Sequence, residues 1–198
     1  MPFFVISRES SQTIFESEQG HIEFIEFSTR SEAEEYIKSG IIHTDNEIRV
    51  FTDGACSNNG KMGSKAGIGI YVSDNSPYNI SETIQGKQTN NTAELSAIIK
   101  VFSIFQDEIS KQKQITIFSD SKYSIQCFTK WSQGWVKNNW KKKDNTDILN
   151  KELIKTGYEL FMKYKNVSLH HVKAHTDKSD ELSKGNREAD KLARLAIS

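Results

Sequence analysis

The alternation of apolar and polar positions divides the chain into a short first part and a longer second part. In the first, Phe3–Ile6 and Thr13–Phe15 read as two short strands joined through a polar Glu9-Ser10-Ser11 turn. Ile22–Phe27 sets Ile22, Phe24, Ile25 and Phe27 against Glu23 and Glu26, the pattern of a third strand. Ser31–Ile37 predicts a short helix with acids in its first turn, where the helix dipole favours them, and Gly40 is its stop. A polar stretch, His43–Glu47, links this part to the next.

The second part predicts strand Ile48–Thr52, a glycine-rich turn through Gly67, and strands Ile68–Ser73 and Ile80–Gly86. Apolar spacing of helical period runs from about Thr92 to Ile109. Strand Ile115–Ser119, helix Lys122–Lys130 and a Trp- and Lys-rich segment to Lys143 follow. Helix Thr146–Tyr164, strand Val167–Val172, a loop, and helix Asn186–Ala196 complete the chain. A three-strand meander followed by alternating helices and strands implies an α/β domain, with a mixed sheet flanked by helices. The expected division is a small N-terminal α+β module over 1–42, a linker over 43–47, and the main domain over 48–198.

Composition narrows the class. Hydrophobic residues make up 36% of the chain, enough for a packed core. No run of 18 apolar residues occurs, so no membrane-spanning helix is expected. The apolar start, Met1–Ile6, is halted by Arg8 and Glu9 without a small-residue cleavage site, and reads as a strand rather than a secretion signal. Cys56 and Cys127 form no metal-type cluster, which points to free thiols in a reducing, intracellular compartment. Net charge is zero, yet residues 1–50 carry four bases against ten acids and the remainder 22 against 16. A basic body behind an acidic start suits a body that meets polyanions.

Four acids stand where regular elements meet loops. Asp53 closes a strand in Val50-Phe51-Thr52-Asp53-Gly54, and Asp120 closes another in Ile117-Phe118-Ser119-Asp120-Ser121. Glu94 lies in the first turn of a helix, within Thr89-Asn90-Asn91-Thr92-Ala93-Glu94-Leu95, and Asp190 lies in the last helix, within Gly185–Asp190. Singly, each has an ordinary explanation: a turn residue, a helix cap, a dipole partner, a solvated face. Together, carboxylates at two strand ends of one sheet make a metal site, because a buried acid is costly unless paired or metal-bound. Hard oxygen donors select Mg²⁺ or Mn²⁺ over zinc.

The ordered motifs Thr52-Asp53-Gly54, Thr89-Asn90-Asn91 with Ala93-Glu94-Leu95, Ser119-Asp120-Ser121, and Asn186 with Ala189-Asp190 resemble the cellular type-1 ribonuclease H family over roughly residues 48–197. The resemblance implies a ribonuclease H-like fold with a mixed five-stranded sheet. It implies an endoribonuclease that hydrolyses the RNA strand of RNA–DNA hybrids, leaving 5′-phosphate and 3′-hydroxyl ends. Asp53, Glu94, Asp120 and Asp190 would hold two Mg²⁺ ions, with Mn²⁺ able to substitute, and His175 would support proton movement and product release. Fourteen residues separate His175 from Asp190, a longer loop than the family usually shows.

The same resemblance assigns strand contacts. Asn59, Asn90 and Asn91 match amides that contact the RNA strand, whose 2′-hydroxyls both donate and accept hydrogen bonds. Lys87, Thr89 and Asn150 match a phosphate pocket for the DNA strand; a lysine at 87 keeps the charge but lacks arginine's bidentate fork. The segment Lys130–Lys143 resembles a basic protrusion, with Trp131 and Trp135 as aromatic platforms and Lys141 and Lys142 as phosphate contacts. Trp131 and Trp135, four apart, also suit a helix face turned to the core.

Phe24–Thr29 followed by Glu32–Ile37 looks like the closing pattern of a eukaryotic hybrid-binding module. The unit is short and acidic where a duplex-binding surface should be basic. It is expected either to contact a protein or to pack on the body. A monomer is expected. A non-catalytic binder of the same fold is disfavoured, because it has no use for buried like charges.

Overall fold

The computed structural model describes residues 4–6, 12–16, 22–26, 47–59, 61–174 and 180–198. It divides into two units, Met1–Asn46 and Glu47–Ser198. In the first, β1 (Phe4–Ile6), β2 (Gln12–Glu16) and β3 (Ile22–Glu26) form an antiparallel meander, with Val5 opposite Ile14 and Ile14 opposite Phe24. The helix expected over Ser31–Ile37 lies outside the described residues.

The second unit is built on β4 (Glu47–Ser57), β5 (Lys65–Tyr71), β6 (Ile80–Thr83), β7 (Gln114–Ser119) and β8 (Val167–His171), in the spatial order β6-β5-β4-β7-β8. The first three form an antiparallel meander; β7 pairs parallel to β4, and β8 parallel to β7. The described helices are α1 (Asn90–Ile104), α2 (Gln106–Ser110), α3 (Lys122–Gln126), α4 (Ser132–Lys137), α5 (Lys151–Lys163) and α6 (Glu181–Leu195). A π-helical turn, Cys127–Trp131, joins α3 to α4.

Successive strand residues point to opposite faces, and β4 uses both. Val50 enters the larger core with Leu95 and Ile98 of α1 and Ile154 of α5. Phe51 enters a smaller core with Tyr71, Phe118 and Ala189 of α6, its ring 5.0 Å from that of Phe118. The mixed five-stranded sheet flanked by helices agrees with the pattern-based expectation.

Several boundaries differ from that expectation, each for a local reason. β4 runs past Thr52 to Ser57, because Asp53 to Ser57 stay paired with Gly69 to Lys65; Gly54 and Gly67 are strand residues, not turn residues. The helix expected to reach Ile109 breaks at Phe105, whose ring is buried and lies tilted against that of Tyr78, centroids 5.0 Å apart. The helix expected from Thr146 begins at Lys151, because Asn150 adopts a left-handed conformation (φ 60°) and Thr146 is tied back to the Asp144 carboxylate. The last helix starts at Glu181 instead of Asn186, because Asp180 caps it, accepting from the Ser183 amide at 2.9 Å and hydroxyl at 3.0 Å.

Candidate metal centre and nucleic-acid face

Two glycines decide how closely the helices approach β4. A methyl group on Gly54 would overlap the backbone of Ala93 and Glu94, and one on Gly69 would overlap that of Ala189. Gly54 thus lets α1 lie against one face, delivering Glu94, while Gly69, paired with Asp53, lets α6 lie against the other. Asp120 follows Ser119, which pairs with Thr52 across the parallel β4–β7 ladder. Four acids distant in sequence therefore arrive around Asp53.

Asp53, Glu94 and Asp120 each present an oxygen such that all three lie within 4.8 Å of one another. Asp53 and Glu94 are buried and Asp120 is half-buried. Glu94 stands just beyond the first turn of α1, which holds no acid, so attraction to the helix dipole does not explain it. Asp120 is not a cap either: Ser121 caps α3, its hydroxyl accepting from the Ser124 amide at 3.3 Å. Asp120 instead accepts a 3.0 Å bond from the Asn186 amide on α6. Asp190 accepts from Arg194 Nε at 2.8 Å, and its charge acts on Asp53 from the edge of the group.

These acids are electrostatically uncomfortable together. Burial, followed by the charge of Asp120, pushes the Asp53 carboxyl up to about 7, against the opposing pull of the Gly54 amide. Burial and then the charge of Asp53 hold Glu94 well above the ordinary carboxylate range. Among the described residues, one buried Glu94 oxygen, Oε2, has no hydrogen-bond partner, and neither has Asn186 Oδ1. Clustered hard oxygens, an orphaned buried acceptor and mutual repulsion fit a divalent cation, which would relieve all three at once.

A family model described as RNase H matches residues 45–198. The chain belongs to the ribonuclease H family. Ribonuclease H1 of Mus musculus is 35% identical over 147 residues, covering 74% of this chain and 49% of that protein. Ribonuclease H of Schizosaccharomyces pombe is 38% identical over 162 residues, covering 81% and 56%. The chain thus spans about half the length of the curated relatives it matches. The solution structure of the PFV RNase H domain superposes with a TM-score of 0.58 at 20% identity, covering 75% of this chain and 93% of that one, a likeness of fold.

The remaining ribonuclease H positions fall into two groups. In the first, the Asn90 amide donates to Asn59 Oδ1 at 3.1 Å, joining the β4–β5 turn to the start of α1, and Asn91 beside it is exposed. Thr89 caps α1 in a reciprocal box with Thr92, and Lys87 is exposed just before it. In the second, Asn150 occupies the cap position of α5 without capping it; its amide reaches the Tyr123 hydroxyl at 3.4 Å. Trp131 packs edge-on to Tyr123 at 6.0 Å and 5.9 Å from Trp135, which leans on the core. Trp131 is 37% exposed and Trp135 is half-buried, so the core-facing alternative suits Trp135 and the surface alternative Trp131. Lys141 and Lys142 are exposed, and the backbone of Lys141 forms an isolated antiparallel β-bridge with that of Asp147. His175 lies outside the described residues.

Sequence reasoning overlooked the groups that hold the site residues. Asn186 is placed one helical turn before Asp190, on the same face, and Arg194 one turn after; the i, i+4 spacing was the available signal. Tyr123 carried no such signal, since its partner Asn150 lies 27 residues away.

Proposed function

We propose that this chain hydrolyses the RNA strand of RNA–DNA hybrids with divalent cations held by Asp53, Glu94, Asp120 and Asp190, releasing 5′-phosphate and 3′-hydroxyl ends. The observation that carries this reading is the convergence of Asp53, Glu94 and Asp120 within 4.8 Å of one another, from a strand, a helix and a strand end. Family membership and the chemistry of the donor set support two Mg²⁺ ions, with Mn²⁺ as a substitute. When bound, such ions supply an activated water nucleophile and neutralise charge at the leaving oxygen.

The protein's own groups then have distinct tasks. Asn186 fixes the Asp120 carboxylate in one orientation, so the group need not be ordered during reaction. Asn59, Asn90 and Asn91 read 2′-hydroxyls on the RNA strand. Lys87, Thr89 and Asn150 grip a DNA phosphate, Trp131 and Trp135 offer stacking surface, and Lys141 and Lys142 add phosphate attraction. His175 relays a proton near the leaving group and aids product release. Residues 48–198 form the catalytic domain; residues 1–42 form a small module, joined by 43–47, that contacts a protein. The chain works as a monomer inside the cell, in keeping with its two free cysteines; no described helix is long and apolar enough to cross a membrane.

The test is cleavage of an end-labelled hybrid by the full chain, with single-stranded and double-stranded RNA as controls. Cleavage of the hybrid's RNA strand alone, dependent on Mg²⁺ and stopped by chelation, is the expected result. An intact hybrid at saturating Mg²⁺ refutes the proposal.

A further inference from the structure

Gln88 is used by none of the assignments above, yet it spends its whole hydrogen-bonding capacity on backbone. Its side-chain carbonyl accepts from the Ala66 amide at 2.6 Å, at the start of β5. Its amino group donates to the Ile84 carbonyl at 2.9 Å and the Gly86 carbonyl at 3.1 Å, in the loop between β6 and α1. An N–H at one end and two carbonyls at the other admit only one orientation of the amide. Its own backbone carbonyl accepts from the Ser64 hydroxyl at 3.1 Å and the Cys56 thiol at 3.6 Å.

The result is a clasp. One side chain ties the 84–88 loop to itself and to β5, while its backbone oxygen receives groups from both sides of the β4–β5 turn. Two residues further on, the Asn90 amide donates to Asn59 across the same gap. Only an amide provides one acceptor and two donors at this reach.

We infer that Gln88 is the positioning residue of the RNA-reading edge, setting the separation of the turn bearing Asn59 from the helix start bearing Asn90 and Asn91. The inference rests on the hybrid-cleavage reading and deepens it. Hydrogen bonds to a 2′-hydroxyl tolerate only a few tenths of an ångström, so two loops that drift apart lose recognition before they lose chemistry. Gln88 itself touches no substrate. Its removal therefore acts on binding and on ribose discrimination, and leaves the carboxylate group intact.

The experiment compares the wild type with Gln88→Met, which keeps length and volume but makes none of the three bonds, and with Gln88→Asn, which keeps the neutral amide on a side chain one methylene shorter. Each is assayed on a hybrid and on matched hybrids carrying one 2′-deoxy substitution beside the cut. The expected result for Gln88→Met is a KM about tenfold higher, kcat within roughly twofold, and a smaller KM penalty for the 2′-deoxy substitution. Gln88→Asn shows the same split to a lesser degree. Should Gln88→Met fold poorly, Gln88→Asn carries the test. Unchanged KM and unchanged 2′-deoxy penalty in a wild type that cleaves hybrid overturn the inference, as does a fall in kcat at constant KM. A wild type inert on hybrid overturns the underlying reading instead.

Discussion

The two ends of the buried stretch of β4, Arg49 to Gly54, both hold charge, and they resolve it in opposite ways. At the amino end, Arg49 lies 8% exposed between Glu47 and Glu181, with its Nη1 3.0 Å from Glu181 and its Nε 3.5 Å from Glu47. Thr116 donates its hydroxyl to Glu47, and Ser168 donates to Thr116 at 3.3 Å. Opposite charges thus answer one another within the protein, even though Arg49 Nε and Nη2 and Glu47 Oε2 make no hydrogen bond among the described residues. At the other end, Asp53 meets Glu94 and Asp120, all of one sign, and burial and repulsion drive Asp53 and Glu94 toward their protonated forms. A buried pair of opposite charge completes a fold; a buried group of like charge is a deficit that a proton or a cation from outside must close. The same strand therefore carries a structural end and a functional end, six residues apart.

If that contrast is right, substitution at the two ends should separate activity from stability. The largest effect is expected at the functional end. Asp120→Asn should lower hybrid cleavage by roughly a thousandfold or more, about 4 kcal/mol of transition-state stabilisation, while circular dichroism and hybrid affinity stay near wild type. Wild-type turnover in this variant would remove Asp120 from the site.

The next effect belongs to the structural end. Arg49→Met leaves Glu47 buried without its counter-charge and should cost about 3 kcal/mol in urea unfolding. That figure is at the low end for a broken buried pair, because Glu181 is 57% exposed and partly solvated. Cleavage by the molecules that remain folded should be within about threefold of wild type, since the pair lies away from the carboxylates. An equal loss of activity at unchanged stability would erase the distinction between the two ends.

The smallest effect has the opposite sign. Asp53→Asn removes one of the repelling acids and should raise the stability of the cation-free protein by about 0.5–2 kcal/mol while abolishing cleavage. The pH dependence follows from the direction of the shift. Asp53 holds its proton up to about 7 in the folded chain, against an ordinary value of 3.8. Its contribution to stability is therefore complete below about pH 4 and is lost as pH rises through 7. Thermal scans of the cation-free wild type should show Tm falling across that window, and the fall should be shallower in Asp53→Asn and in saturating Mg²⁺. A Tm that rises through the window in the cation-free wild type would mean the carboxylate is already neutralised by the protein.

The site was legible in parts. Asp53 and Asp120 stood out because each follows an apolar strand, and Glu94 because it precedes the apolar stripe of α1. What local spacing misassigned was their setting. Asp53 looked like a turn residue because Gly54 follows it, yet Gly54 is a strand residue that makes room for Glu94. Asp120 looked like a cap, and Ser121 takes that task. The helix ends at Phe105 and before Lys151 were invisible because burial of a ring and a left-handed asparagine decide them, and neither leaves a periodic trace.

By itself, the order of apolar and polar residues determined the strands, the helices and the mixed α/β arrangement, and it marked the four acids as candidates. Those follow from periodicity and from residue chemistry, which are local. Tertiary structure alone decided that Glu94 and Asp53 repel, that Asn186 holds Asp120, and that Gln88 clasps two loops. Each of these depends on groups 22 to 66 positions apart coming within hydrogen-bond distance or charge range, and short-range spacing carries no information about such distances.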